Sequence, residues 1–304
     1  MTALQTPHAD APTAEPWAGR FVATRGTAAD AALIEGWAGG AGWSLGRGDL
    51  DLFTRHRPGG LLIGVLDGRP VSAMATAGYD NGFCFTGALI VDPGFRGRGI
   101  GTATADIVLS HAEGRPVGLE APPTLRDFFA ARGFFARRRT IAFAGAVPAP
   151  RAINPHVTTL DSGLLGQAAA LDARCFPAER TALAADWAIG PDRYALGFVQ
   201  NNRLLGYGVI RAGFGAARIG PLYASEPRVA AALFDALAEH AGRHGARAIA
   251  IDIPEPNPAA MALCETRGLS HDSETLRMVR PGACGDETAV DVTLLYGLTS
   301  RELG

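Results

Sequence analysis

The chain has 304 residues, of which 47% are apolar and 19% are charged, and its formal net charge is -2. This composition is typical of a globular protein that is large enough for two compact units. The near-neutral charge provides no field that would collect nucleic acid or an anionic membrane, so neither is expected as a partner. Every basic residue other than histidine is an arginine, which excludes a Walker-type phosphate loop and a Schiff-base lysine.

The cysteines and the N-terminal residues bear on the compartment in which the protein works. The four cysteines lie far apart and form no ligand cluster with the seven histidines, so we expect free thiols and no metal site. Residues 1–19 are rich in Ala, Pro and Thr and lack the basic and apolar regions of a signal peptide, which favours a flexible tail. No stretch reaches the roughly 18 apolar residues of a membrane span. The expected location is therefore the cytoplasm.

The first half of the chain predicts a hairpin followed by alternating strands and helices. The segment from Leu61 to Met74 predicts two apolar strands joined by an Asp-Gly turn, a pair that favours tight hairpins. A strand from Gly87 to Val91 follows, and a glycine-rich loop leads into a helix from Thr102 to Glu113. A short strand from Val117 to Leu119 then precedes a second helix that closes at Gly133.

The second half repeats this order of elements. A hairpin is predicted from Tyr194 to Arg211 around an Asn-Asn turn. The following elements are a strand from Ala217 to Gly220, a helix from Pro227 to about Gly242, a strand from Ala248 to Ile253 and a helix from Pro258 to Thr266. The same order occurring twice indicates a duplicated fold.

Three prolines within residues 146–155 separate the two halves, and such a segment suits an extended linker. We therefore predict a tail at 1–19, a first domain at 20–147, a linker at 148–156 and a second domain at 157–304. A meander followed by strand-helix-strand-helix gives each domain a mixed α/β fold, in which a mostly antiparallel twisted sheet is flanked by helices.

The loop between the strand ending at Val91 and the next helix carries the strongest chemical signal. It contains Arg96-x-x-Gly99-x-Gly101 and leads directly into Thr102. Backbone N–H groups at a glycine-lined helix start form an anion site that suits a diphosphate. The dinucleotide pattern G-x-G-x-x-G fails in both possible frames, which excludes a Rossmann domain.

The segment from Ile90 to Gly101 resembles the acetyl-CoA signature of the GNAT N-acetyltransferases, V-x-P-x-x-[RQ]-x-x-G-x-G, at every defining position. The resemblance implies that acetyl-CoA is the acyl donor and that the loop holds its pyrophosphate. It also implies that the strand before the loop holds the pantetheine and thioester. The implied cofactor-binding residues are Ile90, Val91, Arg96, Gly97, Arg98, Gly99, Ile100, Gly101 and Thr102.

Further segments look like a bacterial tandem GNAT family of the YitH type. The first half contains Glu35-Gly36-Trp37 and Gly42-Trp43-Ser44-Leu45-Gly46, which are similar to that family's E-G-W-N-P-G segment. The second half contains Asp252-Ile253-Pro254-Glu255-Pro256-Asn257 and Thr275-Leu276-Arg277-Met278, which match its partner domain. The implied acceptor-binding residues are Glu35, Trp37, Trp43 and Ser44, although both tryptophans suit core packing equally well.

Two positions depart from the family pattern. GNAT enzymes commonly have a Tyr four residues before the closing Gly, where it protonates the departing thiolate, and here Phe129 and Cys264 stand in its place. A Phe side chain cannot donate a proton, so the first site must use another acid or water, or release the thiolate directly. The second half also lacks the phosphate loop, because Glu226 adds a negative charge there and Pro227 removes an N–H group.

An alkylammonium must lose a proton before it can attack a thioester. The candidates for this catalytic step are Glu120, which ends the strand beside the cofactor strand, together with Asp49 and Tyr79. A solvated or capping role remains open for each acid. The predicted function is transfer of an acetyl or other short acyl group to an amine of a small molecule. The alternative is a non-catalytic, CoA-responsive binding protein.

Overall fold

The computed structural model describes residues 20–43, 45–55, 59–79, 82–283 and 285–304. Its strands are β1 (Phe21–Arg25), β2 (Gly59–Leu66), β3 (Arg69–Gly78), β4 (Cys84–Val91), β5 (Val117–Ala121), β6 (Phe135–Ala146), β7 (Val157–Thr159), β8 (Arg193–Gln200), β9 (Arg203–Arg211), β10 (Ala217–Ala224), β11 (Ala248–Pro254), β12 (Ser270–Arg280) and β13 (Leu295–Gly297). Its α-helices are α1 (Ala28–Gly40), α2 (Asp49–Arg55), α3 (Ile100–Ser110), α4 (Arg126–Ala130), α5 (Leu165–Cys175), α6 (Thr181–Ile189), α7 (Pro227–Arg243) and α8 (Pro258–Thr266).

The two predicted hairpins are present, and each is closed by a tight turn. Asp67 and Gly68 connect β2 to β3 with φ angles of 50° and 78°, and Asn201 and Asn202 connect β8 to β9 with φ angles of 50° and 58°. Two consecutive positive φ angles match the right-handed twist of the flanking strands, and Asp, Asn and Gly adopt them most readily. The turn residues therefore fix the register of both hairpins.

The strands of both halves join into one mixed sheet. The order across it is β1-β2-β3-β4-β5-β12-β6-β11-β10-β9-β8-β7, and β13 pairs with β10. The pairs β4–β5 and β10–β11 are parallel, and the other recorded pairs are antiparallel. The predicted α/β class, with mostly antiparallel strands flanked by helices, is thus confirmed.

The halves exchange one strand each at the centre of this sheet. Strand β12, from the second half, lies between β5 and β6 of the first half. Strand β6, in turn, pairs through residues 140–146 with β11 of the second half. Residues 148–156 lie between β6 and β7, where the sequence predicts a linker, but the sheet itself continues across both halves.

The parallel strands separate beyond their first residues in both halves. Strands β4 and β5 pair only at Cys84 with Val117 and at Phe85 with Gly118. In β4 the bulged residue Ala88 has a φ angle of 54°, and the register of β4 against β3 shifts at the same place. A bulge bends its strand and interrupts the ladder. The cleft that opens between the ends of β4 and β5 is the main feature that the fold provides for a ligand.

The two halves have separate apolar cores against the sheet. Helix α3 packs with β3 and β4 over one core, which includes Val108, Leu119 and Phe134. Helix α7 packs with β9 and β10 over the corresponding core of the second half, which includes Leu233 and Phe234. Across the described residues, no helix combines the length and the apolar character that crossing a membrane requires.

Candidate functional site

The glycine-rich loop adopts the geometry of an anion site. Gly97 and Gly99 have φ angles of 73° and 76°, a left-handed conformation that side-chain-bearing residues adopt at a cost. Gly99 is the N-cap of α3 and makes no side-chain cap hydrogen bond. The first N–H groups of a helix have no intrahelical acceptor and carry the positive end of its dipole. The loop therefore presents backbone donors and partial positive charge toward the cleft.

A cavity of about 510 Å³ lies against this loop. Most of the predicted cofactor residues line it, namely Ile90, Val91, Arg96, Gly97, Gly99, Gly101 and Thr102. The structure places the other two elsewhere: Ile100 is buried in a small core, and the guanidinium of Arg98 lies 5.2 Å from the centre of the Phe95 ring. This site suits a diphosphate with an extended chain attached.

A second cavity of about 340 Å³ lies deeper in the gap between β4 and β5. Trp43, Leu89 and Leu125 line both cavities, so the two cavities adjoin. Most of the surface of the inner cavity is apolar, and its walls include Met74, Phe129 and Glu120. A molecule held by its phosphates at the loop could therefore place its other end in an apolar chamber beside a carboxyl group.

Glu120 is held at the wall of the inner cavity by two hydroxyl groups. Thr140 donates to one carboxylate oxygen at 3.1 Å, and Thr275 donates to the other at 2.8 Å. Burial raises the pKa of Glu120, although Arg138, Arg277 and the two hydrogen bonds act in the opposite direction. A carboxyl group with a raised pKa is a stronger proton acceptor when it is ionised. Of the three predicted catalytic residues, Glu120 is the one that lines a cavity described here.

The structure places the other two predicted catalytic residues in the interior. Asp49 accepts hydrogen bonds from Arg211 and Arg193 at 2.9 Å, so it forms a buried ion pair between the two halves. Tyr79 packs edge to face on Phe176 with ring centres 5.1 Å apart. Burial raises the pKa of Tyr79 to about 12, which keeps the phenol protonated near neutral pH. Neither residue lines either cavity.

The predicted acceptor-binding residues fall in different environments. Trp43 lines both cavities, whereas Trp37 packs against the core and lines neither. Glu35 accepts the N–H groups of Gly48 and Leu50 at 3.2 Å, so it holds the loop before α2. Burial raises the pKa of Glu35. Ser44 lies outside the described residues.

The second half contributes residues to the inner cavity that the sequence analysis missed. They are Asp272, Ser273, Glu274 and Thr275 of β12 and, from the C-terminal segment, Arg301 and Glu302. Thr275 belongs to a segment that resembles the tandem family, but no local pattern indicates that β12 inserts beside β5. Their position follows from the strand exchange, which is a tertiary event.

The corresponding cleft of the second half is filled by the protein itself. Strand β13 pairs with β10, and Leu298 donates its N–H to the carbonyl of Asp252 at 2.8 Å. Helix α7 begins with Glu226 at its N-cap and Pro227 in its first turn, in agreement with the missing phosphate loop. A pantetheine chain could not occupy this gap without displacing β13.

Several buried polar residues of the second half pair with one another. Arg180 binds Asp172 through two hydrogen bonds, at 2.9 and 3.1 Å, and Asp252 pairs with Arg218 and with Arg301. Among the described residues, no group of three or more His, Cys, Asp or Glu side chains could hold a metal ion.

Phe129 and Cys264, which stand where a Tyr is common, differ in their surroundings. Phe129 lines the inner cavity, so this position faces the space where acyl transfer would occur. Cys264 is fully buried in the core of the second half. Burial raises the pKa of Cys264 to about 12, so its thiol is a poor proton donor as well.

Comparison with known proteins agrees with the fold and the loop. A model described as the GNAT family of acetyltransferases matches residues 31–139, and a model described as a GNAT acetyltransferase domain matches residues 168–297. The chain is 25% identical over 276 residues to the holothin acyltransferase of Pseudoalteromonas sp. (strain SANK 73390), which covers 90% of each chain.

Two solved structures share the overall architecture. A putative acetyltransferase from Pyrococcus horikoshii has a TM-score of 0.78 and 21% identity, with 98% of this chain and 100% of that one covered. A tandem GNAT protein from the clavulanic acid biosynthesis pathway has a TM-score of 0.62 and 18% identity, with 85% and 97% covered. At these identities the likeness shows the fold alone. Together with the two family matches, it shows that this chain contains two GNAT domains in tandem.

Proposed function

We propose that the protein transfers an acetyl or other short acyl group from acyl-CoA to an amine of a small molecule. One observation carries the proposal: the phosphate-loop cavity adjoins the cavity that Glu120 lines in the gap between β4 and β5. Bound acyl-CoA would supply the activated thioester. The loop would hold its pyrophosphate, and the inner cavity would admit the acceptor.

Glu120 is the proton acceptor in this proposal. An alkylammonium with a pKa near 10 is almost fully protonated at neutral pH, so a base must free its lone pair before attack. The two threonine hydroxyls orient the carboxylate toward its place in the cavity wall. Asp49 and Tyr79 receive no role in this step because both are buried and neither lines a cavity.

The second candidate function is a CoA-responsive binding protein without catalysis. Phe129 favours it, because this cavity-lining side chain cannot protonate a departing thiolate. The two functions share the cofactor site and differ only in turnover. The two functions are distinguished by measuring the release of free thiol from acetyl-CoA in the presence of each amine of a panel. Saturable binding of acetyl-CoA without thiol release on any amine would favour the non-catalytic binding protein.

The segments quoted from both halves support a finer assignment to the YitH-like tandem family. Trp43, from the first of these segments, lines both cavities, and Thr275, from the last, binds Glu120. We also propose the cytoplasm as the place of action. The free thiols of Cys84, Cys175 and Cys264 are consistent with a reducing compartment.

The substitution Gly101→Asp tests the cofactor site. Gly101 is the second residue of α3, where a carboxylate favours the helix dipole and so leaves the helix intact. Like charges about 4 Å apart near a protein surface repel by about 4 kcal/mol, so acetyl-CoA should bind at least about 100-fold more weakly. Isothermal titration measures the affinity, and thermal unfolding verifies the fold.

The matched control is Gly166→Asp. Gly166 is the second residue of α5, and a side chain there meets no atom within 4 Å. This variant should bind acetyl-CoA as the wild type does. Equal affinity of the Gly101→Asp variant and the wild type for acetyl-CoA would contradict the assignment of the loop to the cofactor site.

A further inference from the structure

The inner cavity of the first half has a wall built by the second half. Leu298 and Thr299 pass over Gly220 of β10, and a Cβ atom at Gly220 would lie 2.4 and 2.6 Å from their carbonyl oxygens. Glu302 lies over Gly87 of β4, and a Cβ atom at Gly87 would lie 2.8 Å from its Cα. One short segment thus crosses both bulged strands and ends in the cavity of the first half.

This segment is firmly anchored. Arg180 donates to the carbonyl of Leu303 at 2.7 Å, and the hydroxyl of Ser300 accepts the N–H groups of Glu302 and Leu303 at 3.2 Å. Arg301 donates to Asp252 at 2.9 Å. A site on such an anchored segment holds its side chains in a defined position.

Glu302 is a buried carboxyl group on this wall, with 8% of the residue exposed. Burial and the nearby charge of Asp49 raise its pKa, because Arg218 and the Ser300 hydroxyl compensate only in part. A positive charge brought into the cavity would relieve this imbalance. The wall is therefore electrostatically suited to a cation.

The other charged groups of the cavity are engaged in ion pairs or lie at its rim. Glu274 pairs with Arg139, and Arg301 pairs with Asp252. Asp272 is exposed. Glu120 is bound by two threonine hydroxyls and takes the proton in the proposed reaction. Glu302 is thus the buried carboxyl group that lies against the cofactor strand and is left to bind the acceptor.

We infer that Glu302 is the specificity-determining residue of the acceptor site, where it binds a protonated alkylamine and selects against amines that are neutral at the same pH. The inference rests on the proposed function, because it assigns the inner cavity to the acceptor. It also gives the second half a role: it delivers one acidic side chain to the site of the first half.

Cyclohexylamine and aniline form a suitable pair of probes. Both carry one amino group on a six-carbon ring, but only cyclohexylamine is protonated at neutral pH. Each is titrated calorimetrically into protein saturated with CoA, which binds without supplying an acyl group. A charge-assisted hydrogen bond predicts about tenfold or tighter binding of cyclohexylamine by the wild type. In the Glu302→Gln variant this preference should disappear, while aniline binding stays within about twofold.

Two further variants separate charge from structure. Glu302→Asp keeps the charge and should keep the preference. Glu255→Gln removes a carboxylate that pairs with Arg139 outside the cavity, and it should behave as the wild type. Thermal unfolding of each variant verifies that the fold is retained.

The outcomes are distinct. Equal binding of the two amines by the wild type, or a preference that persists in Glu302→Gln, overturns the inference. Failure of both amines to bind the CoA complex also overturns it but leaves the cofactor site intact. Failure of CoA itself to bind overturns the proposed function together with the inference.

Discussion

Glu120 in β5 and Asp252 in β11 occupy matching places in the two halves but have opposite surroundings. Extending the parallel registers puts Glu120 level with Gly87 and Asp252 level with Gly220, the two glycines crossed by the C-terminal segment. Glu120 faces a cavity and is bound by neutral hydroxyls. Asp252 is paired with two arginines.

The pKa values of Glu120 and Asp252 are shifted in opposite directions. Burial dominates at Glu120 and raises its pKa. Burial acts in the same direction at Asp252, but Arg218 and Arg301 outweigh it and lower the pKa of that carboxyl group. The same position in a duplicated fold can therefore hold a proton acceptor or a structural anion, and the neighbouring charges decide which.

The largest effect is expected for Glu120→Gln. A positioned general base contributes about 10²- to 10⁴-fold to turnover, and the variant should lose activity by a similar factor. The raised pKa means that Glu120 loses its proton only above the ordinary value of 4.5, so kcat/KM should rise with pH across that higher range. In the variant, kcat/KM should not show this rise with pH.

Glu120→Gln should unfold at the same urea concentration as the wild type near neutral pH, or a higher one. A raised folded-state pKa means that the ionised carboxylate is disfavoured by folding at that pH. Full activity of the variant on every amine that the wild type uses would contradict the role of Glu120 as the proton acceptor.

The next effect concerns stability and is expected for Asp252→Asn. The substitution leaves the buried Arg218 and the partly buried Arg301 without their counter-charge, and loss of one partner of a buried pair typically costs about 3–5 kcal/mol. Because folding lowers the pKa of Asp252, its contribution is present above the unfolded-state pKa and is lost as pH falls through the folded-state pKa. Urea unfolding should show a difference in the free energy of unfolding between variant and wild type, and this difference should become smaller at acid pH. A constant difference would contradict the role of its charge.

The smallest effect is expected for Phe129→Tyr, which restores the common hydroxyl at the inner cavity. A phenol with a pKa near 10 is a weaker acid than a thiol with a pKa near 8.5, so the gain in turnover should be about tenfold or less. Phe135→Tyr, at a position 59% exposed, is the matched control and should change nothing. An unchanged rate for Phe129→Tyr would show that thiolate protonation does not limit turnover.

Local patterns were sufficient to predict most elements and the phosphate loop. Glycines at the start of α3, the Asp-Gly and Asn-Asn turns, and the alternation of strands and helices each have a short-range physical cause. The position of Glu120 could also be predicted from the sequence, because Glu120 lies near the end of the strand next to β4, where the cleft opens.

The remaining features depend on contacts between distant segments. Nothing near Asp49 in the sequence indicates that Arg193 and Arg211 would bury it in an ion pair. Likewise, Glu302 lies in a short segment without strong periodicity, and its place in the cavity depends on β13 and on the exchange of β6 with β12. Pairings of this kind leave no local signature.

The strand exchange has a consequence for synthesis on the ribosome. The edge of β5 is covered only when β12 has emerged, more than 150 residues later, so a nascent first half carries an unpaired strand edge while the second half is being made. Contacts of such high sequence separation form late and slowly. The two halves are thus expected to reach their final structure together, and the first half alone would be prone to aggregate.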